Sequence, residues 1–377
     1  MDAVPENAGV RDFWGTLEAK PPKPFSLGDV ARDTENVPTP PEVAFDRYFR
    51  GLNPKQRGVY EGKFDLEQLA PGPLKELLSR LQSGLNFALG NERFVPEHKD
   101  HPPFHVDYIR STQANALAFR HDGYSFIGLT IPLVYESAEL CRRLCNSIDL
   151  LDALGLSPTE ETTEALGAIL LKILLFFVVS HEYTHIVHGH PLSEATDSEP
   201  INEILTDAQA ASLDEQTLEA DADSYAIFHI MWNWVGGVER SPALSSLAAE
   251  SASPSDQDAL LFGCIVVAIG AYFVLRPVPQ LDAKNIYELR HPPHPVRLNA
   301  LMETAIAWCR QNRPELENSM KPDRFNFILS IAAGLVWEHD EDKNQNWKSQ
   351  VAFFQTRDGA SYVAELRRRK DAYRAAL

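Results

Sequence analysis

The sequence predicts a mainly α fold with a small β element, an α+β arrangement. Three observations carry this expectation. Apolar residues recur at three- and four-residue spacing over most of the chain, as at Leu74, Leu77, Leu78 and Leu81. One stretch, residues 114–131, places an Asp122-Gly123 pair between two apolar runs, which is a hairpin signal. Ser-, Pro- and Asp-rich segments at 191–200 and 250–256 punctuate the helical pattern.

The elements follow in chain order. Residues 1–43 are rich in proline and charge and read as an extended arm. Residues 44–95 turn helical, and 114–131 supplies the strands. Helices are expected at 134–153, 160–190, 216–234, 257–275, 294–311, 325–338 and 346–376. There is no internal repeat and no Gly-rich phosphate loop, so residues 44–377 are expected to fold as a single helical domain with its motifs in 110–305.

Composition narrows the function classes. The 377 residues are 44% hydrophobic and 23% charged, ordinary for a globular chain able to bury a sizeable core. A net charge of −18 repels phosphate backbones, so no nucleic acid partner is expected. The basic run Arg367-Arg368-Arg369-Lys370 reads as the solvated face of a terminal helix. Cys141 and Cys145 share a helix face, and no CxxC pair occurs, which suits thiols in a reducing compartment. The first residues have no basic and apolar leader pattern, and a cytoplasmic location is expected. The apolar stretches 165–180 and 260–275 fall short of the roughly 20 residues that cross a bilayer. Membrane association is therefore the less favoured expectation.

The chemistry centres on Ser180-His181-Glu182-Tyr183-Thr184-His185. Histidines four apart leave one face of a helix, stacked a turn apart, and can reach one Zn²⁺ through neutral ring nitrogens. Glu182 lies beside them, placed to take the proton of an attacking water. Two histidines need a third ligand. The longer zinc pattern wants a glycine three residues and a histidine six residues after His185, where this chain has His188 and Pro191. A gluzincin takes a glutamate from a downstream helix instead, and Leu218-Glu219-Ala220-Asp221-Ala222-Asp223 offers Glu219. Asp223, four residues on, would then accept a hydrogen bond from a ligand imidazole. The plainer alternative is a solvated acidic helix start. Further on, His291-Pro292-Pro293 opens a helix that carries Arg297, and a His or Arg there could donate to a developing oxyanion. Alone, that segment is only a helix start.

Taken together, His181-Glu182-x-x-His185 with His190, Glu219-x-x-Ala222-Asp223, and His291-Pro292 with Arg297 resemble the HtpX and CAAX-prenyl-protease family. Asn115-Ala116-Leu117-Ala118 is similar to that family's edge strand. The resemblance spans about 110–305 with four motifs in family order. It implies a zincin-like metallopeptidase core with an HExxH active-site helix and one zinc ion per chain. It further implies a protein or peptide substrate paired along Asn115–Ala118, and transition-state roles for His291 and Arg297. The chain departs from the family in lacking convincing membrane spans, in Tyr183 and in the segment 191–215. A looser resemblance is to the phage-exclusion protease Lit.

The expected activity is thus zinc-dependent endopeptidase. A zinc-stabilised scaffold without catalysis and a membrane-associated processing protease are the alternatives. Of the remaining histidines, His188 shares the ligand face and His190 caps or packs near the helix end. His121 sits by the hairpin turn, and His98, His101, His105, His229 and His339 are expected to be structural.

Overall fold

The computed structural model describes residues 39–90, 102–191, 213–235, 247, 254–276, 281, 285–289, 291–319, 322–337 and 340–375. The arm expected at 1–43 lies outside them up to residue 38, as do His98, His101, His339 and most of the two punctuating loops. The chain is mostly helical with one four-stranded sheet. Its contacts cluster into two compact units, where the sequence suggests a single one over 44–377. The first comprises the described residues up to Gln113 with Leu117–Ile131. The second comprises Ala114–Ala116, Pro132–Pro191 and Asn202–Leu377.

The first unit opens with α1 (Pro41–Gly51), started by a proline at its first turn three residues earlier than the periodicity suggests. A short helix, α2 (Pro54–Arg57), follows behind an Asn53–Gln56 capping box. Next come β1 (Tyr60–Lys63), α3 (Pro73–Gly90), β2 (Phe104–Ser111), β3 (Ala116–His121) and β4 (Tyr124–Thr130). The hairpin forms where Asp-Gly signals it: Asp122 and Gly123 both take positive φ, 46° and 81°, as a two-residue turn between strands requires.

Strands β1 and β2 are additions to the sequence-based expectation. The sheet order is β1-β2-β4-β3, with β1 antiparallel and β4 parallel to β2. As an inner strand, β2 is buried along most of its length, so it lacks the alternation that would mark it. Its polar residues are satisfied internally: Asp107 meets Lys63 at 2.7 Å, His105 at 3.2 Å and Gln82 at 2.8 Å. Phe45, Tyr48 and Phe49 of α1 pack on Phe119 and Phe126, with Tyr48 stacked on Phe119 at 3.9 Å between centroids.

The second unit is helical: α4 (Ile131–Cys145), α5 (Ile148–Leu154), α6 (Glu160–Val187), α7 (Leu213–Ile230), α8 (Pro254–Leu275), α9 (His294–Asn312), α10 (Pro322–Val336), α11 (Glu341–Phe354) and α12 (Arg357–Arg374). Two expected helices are split. Ser147 caps α5 and interrupts 134–153, and Thr356 caps α12 and interrupts 346–376, each through its hydroxyl on a backbone N–H. Helix α6 packs on α7 and α8, α7 also receives α9 and α12, and α10 lies on α8.

Helices α6 and α8 run 28 and 22 residues, longer than the apolar stretches that mark them. Both are long and apolar enough to cross a membrane by length and composition, which removes the length argument against that. In the fold, 83% of the apolar window of α8 is buried inside the protein, as in a core helix. The four cysteines are free and buried. Arg367, Arg368 and Arg369 pair with Glu303, Glu365 and Asp214, so the basic run is ion-paired.

Helix α12 begins against the end of α11 with no room to spare. A methyl on Gly359 would meet the Phe353 carbonyl and lie 2.7 Å from the Phe354 Cα, both backbone. Gly359→Ala is expected to destabilise the protein by about 1–3 kcal/mol, despite the better helix propensity of alanine. A urea midpoint equal to or above wild type would show that the turn relaxes freely.

Candidate metal centre

Helix α6 is started by Thr159, whose hydroxyl accepts from the Thr162 N–H, with Glu160 and Glu161 in the first turn. Its long apolar run buries it among α7 and α8, and that burial carries His181, Glu182 and His185 inside: each is 5% exposed or less. Helix α7 is buried too, and with it Glu219, Asp221 and Asp223, which rules out a solvated acidic helix start.

His181, His185 and Glu219 converge. The two Nε2 atoms are 3.1 Å apart, Glu219 Oε2 is 3.2 Å from His181 Nε2, and Glu219 Oε1 is 3.6 Å from His185 Nε2. Two bonds of about 2.0–2.1 Å at a tetrahedral zinc subtend an edge of about 3.3 Å. The observed spacings are edges of that size, and Glu219 Oε2 is buried between His181 and His291. The donor set fits a metal ion, and these residues could hold one.

The surrounding charges agree with that chemistry. Burial pushes His185 down to about 3, against the pull of Glu219, so its ring is neutral at ordinary pH. Burial alone would also neutralise His181, but hydrogen bonds to Asp223 and Glu219 outweigh it and raise its pKa well above the usual value. Glu219 is held well below the usual carboxylate range: burial opposes its charge, and His291, His185 and His181 overcome that.

Behind the ligands, Asp223 Oδ1 lies 3.0 Å from His181 Nδ1. The Asp223 carboxylate receives Arg297 in a two-point fork, Nε to Oδ2 at 2.6 Å and a terminal nitrogen to Oδ1 at 2.8 Å. The Arg297 guanidinium also lies over the Phe273 ring at 4.5 Å. Asp223 is held down to about 2; burial works against its charge and Arg297 dominates the rest. Asp223 therefore stands where the spacing puts it, against His181 Nδ1. Arg297 engages the Asp223 carboxylate, on the side of His181 away from Glu219.

His291 lies just before α9 with Nδ1 3.0 Å from Glu219 Oε2, and its Nε2 has no hydrogen-bond partner among the described residues. Glu182 is buried on α6 next to His181. Asn115 precedes β3, while Ala116, Leu117 and Ala118 lie in it; β3 is an edge strand of its sheet.

A second group was not singled out from sequence. Asp221 Oδ2 lies 2.5 Å from His188 Nδ1 and 3.4 Å from His190 Nε2, and Arg374 Nε lies 2.5 Å from Oδ1. Asp221 is two residues from both Glu219 and Asp223, hence on the opposite side of α7. The available signal was His188-Gly189-His190 directly after the first motif. His229 is half-buried, pushed down to about 4 by burial of its ring and packed on Tyr183 and Tyr225.

Fold and site together define a helical protein with a buried two-histidine, one-glutamate cluster suited to a metal. No family model, curated protein or solved structure matches the chain.

Removing Arg297 would strand a buried carboxylate. Arg297→Met is expected to cost about 3–5 kcal/mol in chemical denaturation, and the double variant with Asp223→Asn should recover part of that loss. Additive losses would show that the pair is not coupled.

Proposed function

We propose that the protein is a zinc-dependent endopeptidase with a zincin-like core, similar in its site to the HtpX and CAAX-prenyl-protease family. The observation that carries this is the convergence of His181, His185 and Glu219 with Asp223 pinned behind them. Two neutral imidazoles and one carboxylate leave a position open for water or substrate, which separates catalytic from structural zinc sites.

Zinc bound there would polarise a peptide carbonyl and acidify a water molecule. Glu182, one residue from His181 on the same buried helix, takes the proton of the attacking water and returns it to the leaving amine. His291 meets Glu219 through Nδ1 and keeps Nε2 without a partner among the described residues, which suits a donor to the developing oxyanion. Arg297 acts through Asp223, holding the His181 ring with its Nε2 towards the metal. The substrate is a protein or peptide, and β3, as a sheet edge, has the capacity to pair with an extended chain.

A catalytically silent zinc scaffold is the weaker alternative, since it has no use for Glu182. The lengths of α6 and α8 favour a different second reading, a membrane-associated processing protease. Sedimentation of the expressed protein with or without membranes separates it from the first.

Wild-type protein is expected to bind about one zinc ion per chain and to lose cleavage on chelation. Glu182→Gln should retain the zinc and lose cleavage by at least about 100-fold, the scale of a general base. Metal analysis beside a peptide-library digest reads both, and full cleavage by Glu182→Gln would remove Glu182 as base.

A further inference from the structure

The feature outside the machinery above is the group that closes the far side of the metal cluster. Helix α6 ends in a Schellman turn: the Gly189 N–H bonds the Ile186 carbonyl at 3.3 Å and the His190 N–H bonds the His185 carbonyl at 3.0 Å, with Gly189 at φ 66°. Only a residue tolerant of the left-handed region makes this reversal readily. It folds the chain back so that His190 Nδ1 lies 2.9 Å from His185 Nδ1.

We infer that His190, Asp221 and Arg374 are positioning residues that hold His185 in the tautomer presenting Nε2 to a metal, so that α12 completes the metal centre. The inference rests on the proposed metal site. Asp221 accepts Arg374 on Oδ1 and His188 on Oδ2, and its Oδ2 also faces His190 Nε2 at 3.4 Å. Asp221 Oδ2 is the acceptor that faces His190 Nε2, so the proton of that ring is placed on Nε2. That leaves His190 Nδ1 as a bare lone pair. It accepts the proton of His185 Nδ1, and His185 Nε2 is bare towards His181 and Glu219. Every proton in the series points from the metal ligand outwards to Asp221.

Helix α12 is fastened where this series ends. Tyr373 donates its hydroxyl to the His188 carbonyl at 2.6 Å, its ring lies 5.4 Å from that of His190, and Lys370 reaches Ser224 of α7 at 3.0 Å. His181 and His185 are thus oriented by different carboxylates of one helix, each tied to an arginine: Asp223 to Arg297 of α9, Asp221 to Arg374 of α12.

His188, His190 and Asp221 also converge closely enough to hold a second ion. Proton placement opposes it. A metal on His190 Nε2 would drive that ring's proton to Nδ1, facing the Nδ1 proton of a metal-bound His185 at 2.9 Å. Two donors cannot bond each other. The Arg374 guanidinium already supplies the cation Asp221 needs.

The test is zinc affinity of the full chain, read by competition with a chromophoric chelator, beside thermal unfolding of the metal-free protein. Asp221→Asn and Arg374→Ala are expected to weaken zinc binding by about 10- to 100-fold, the scale for partners of metal-bound histidines. His190→Gln, whose amide oxygen can accept the same proton, should stay closer to wild type than His190→Leu. A merely structural role would lower the unfolding temperature of the metal-free variants and leave the affinity of the folded protein unchanged. Wild-type affinity in Asp221→Asn and Arg374→Ala would overturn the inference while leaving the zinc site standing. So would a second zinc equivalent lost in Asp221→Asn. Wild type that binds no zinc would overturn both.

Discussion

Three carboxylates buried on one helix set the terms for the helical unit. Glu219, Asp221 and Asp223 of α7 are 4%, 0% and 1% exposed. Buried and unpaired, each charge would cost several kcal/mol. Their spacing sends Glu219 and Asp223 to one side of the helix and Asp221 to the other. Partners must therefore arrive from several directions: histidines from α6 and the segment before α9, Arg297 from α9, Arg374 from α12. The helices that surround α7 are those that bring these groups.

Such pairs add little net stability, because desolvation offsets most of the attraction. Cohesion comes from the apolar faces of α6 and α8, with Phe177, Phe262, Tyr272 and Phe273 almost fully buried. What the pairs determine is orientation. Each imidazole of the metal pair has one nitrogen committed to a partner behind it and the other turned towards Glu219. Burial keeps His185 neutral, and the same low polarity strengthens every bond in the series. A dication placed among these groups would find its candidate ligands already aimed.

Much of the site was legible in sequence because helical spacing converts directly into facing. His181 and His185 at i and i+4, and Glu219 and Asp223 at i and i+4, are local facts that survive any packing. The hairpin was legible because Asp-Gly has few ways to fold between apolar runs. Strand β2 was not, since an inner strand buries both faces and its His105 and Asp107 hide the apolar pattern. The breaks at Ser147 and Thr356 were missed because periodicity continues across them, and only the capping hydroxyls mark the stop.

By itself, then, the sequence determined the helix faces that carry His181 with His185 and Glu219 with Asp223, and the turn at Asp122-Gly123, each of which depends on residues within a few positions of one another. Tertiary structure decided the partners. It spent Arg297 on Asp223, buried Asp221 against Arg374 across 153 positions of chain, and turned His190 back onto His185. Which cation meets which buried carboxylate depends on how α9 and α12 pack on α7, and no local spacing encodes that.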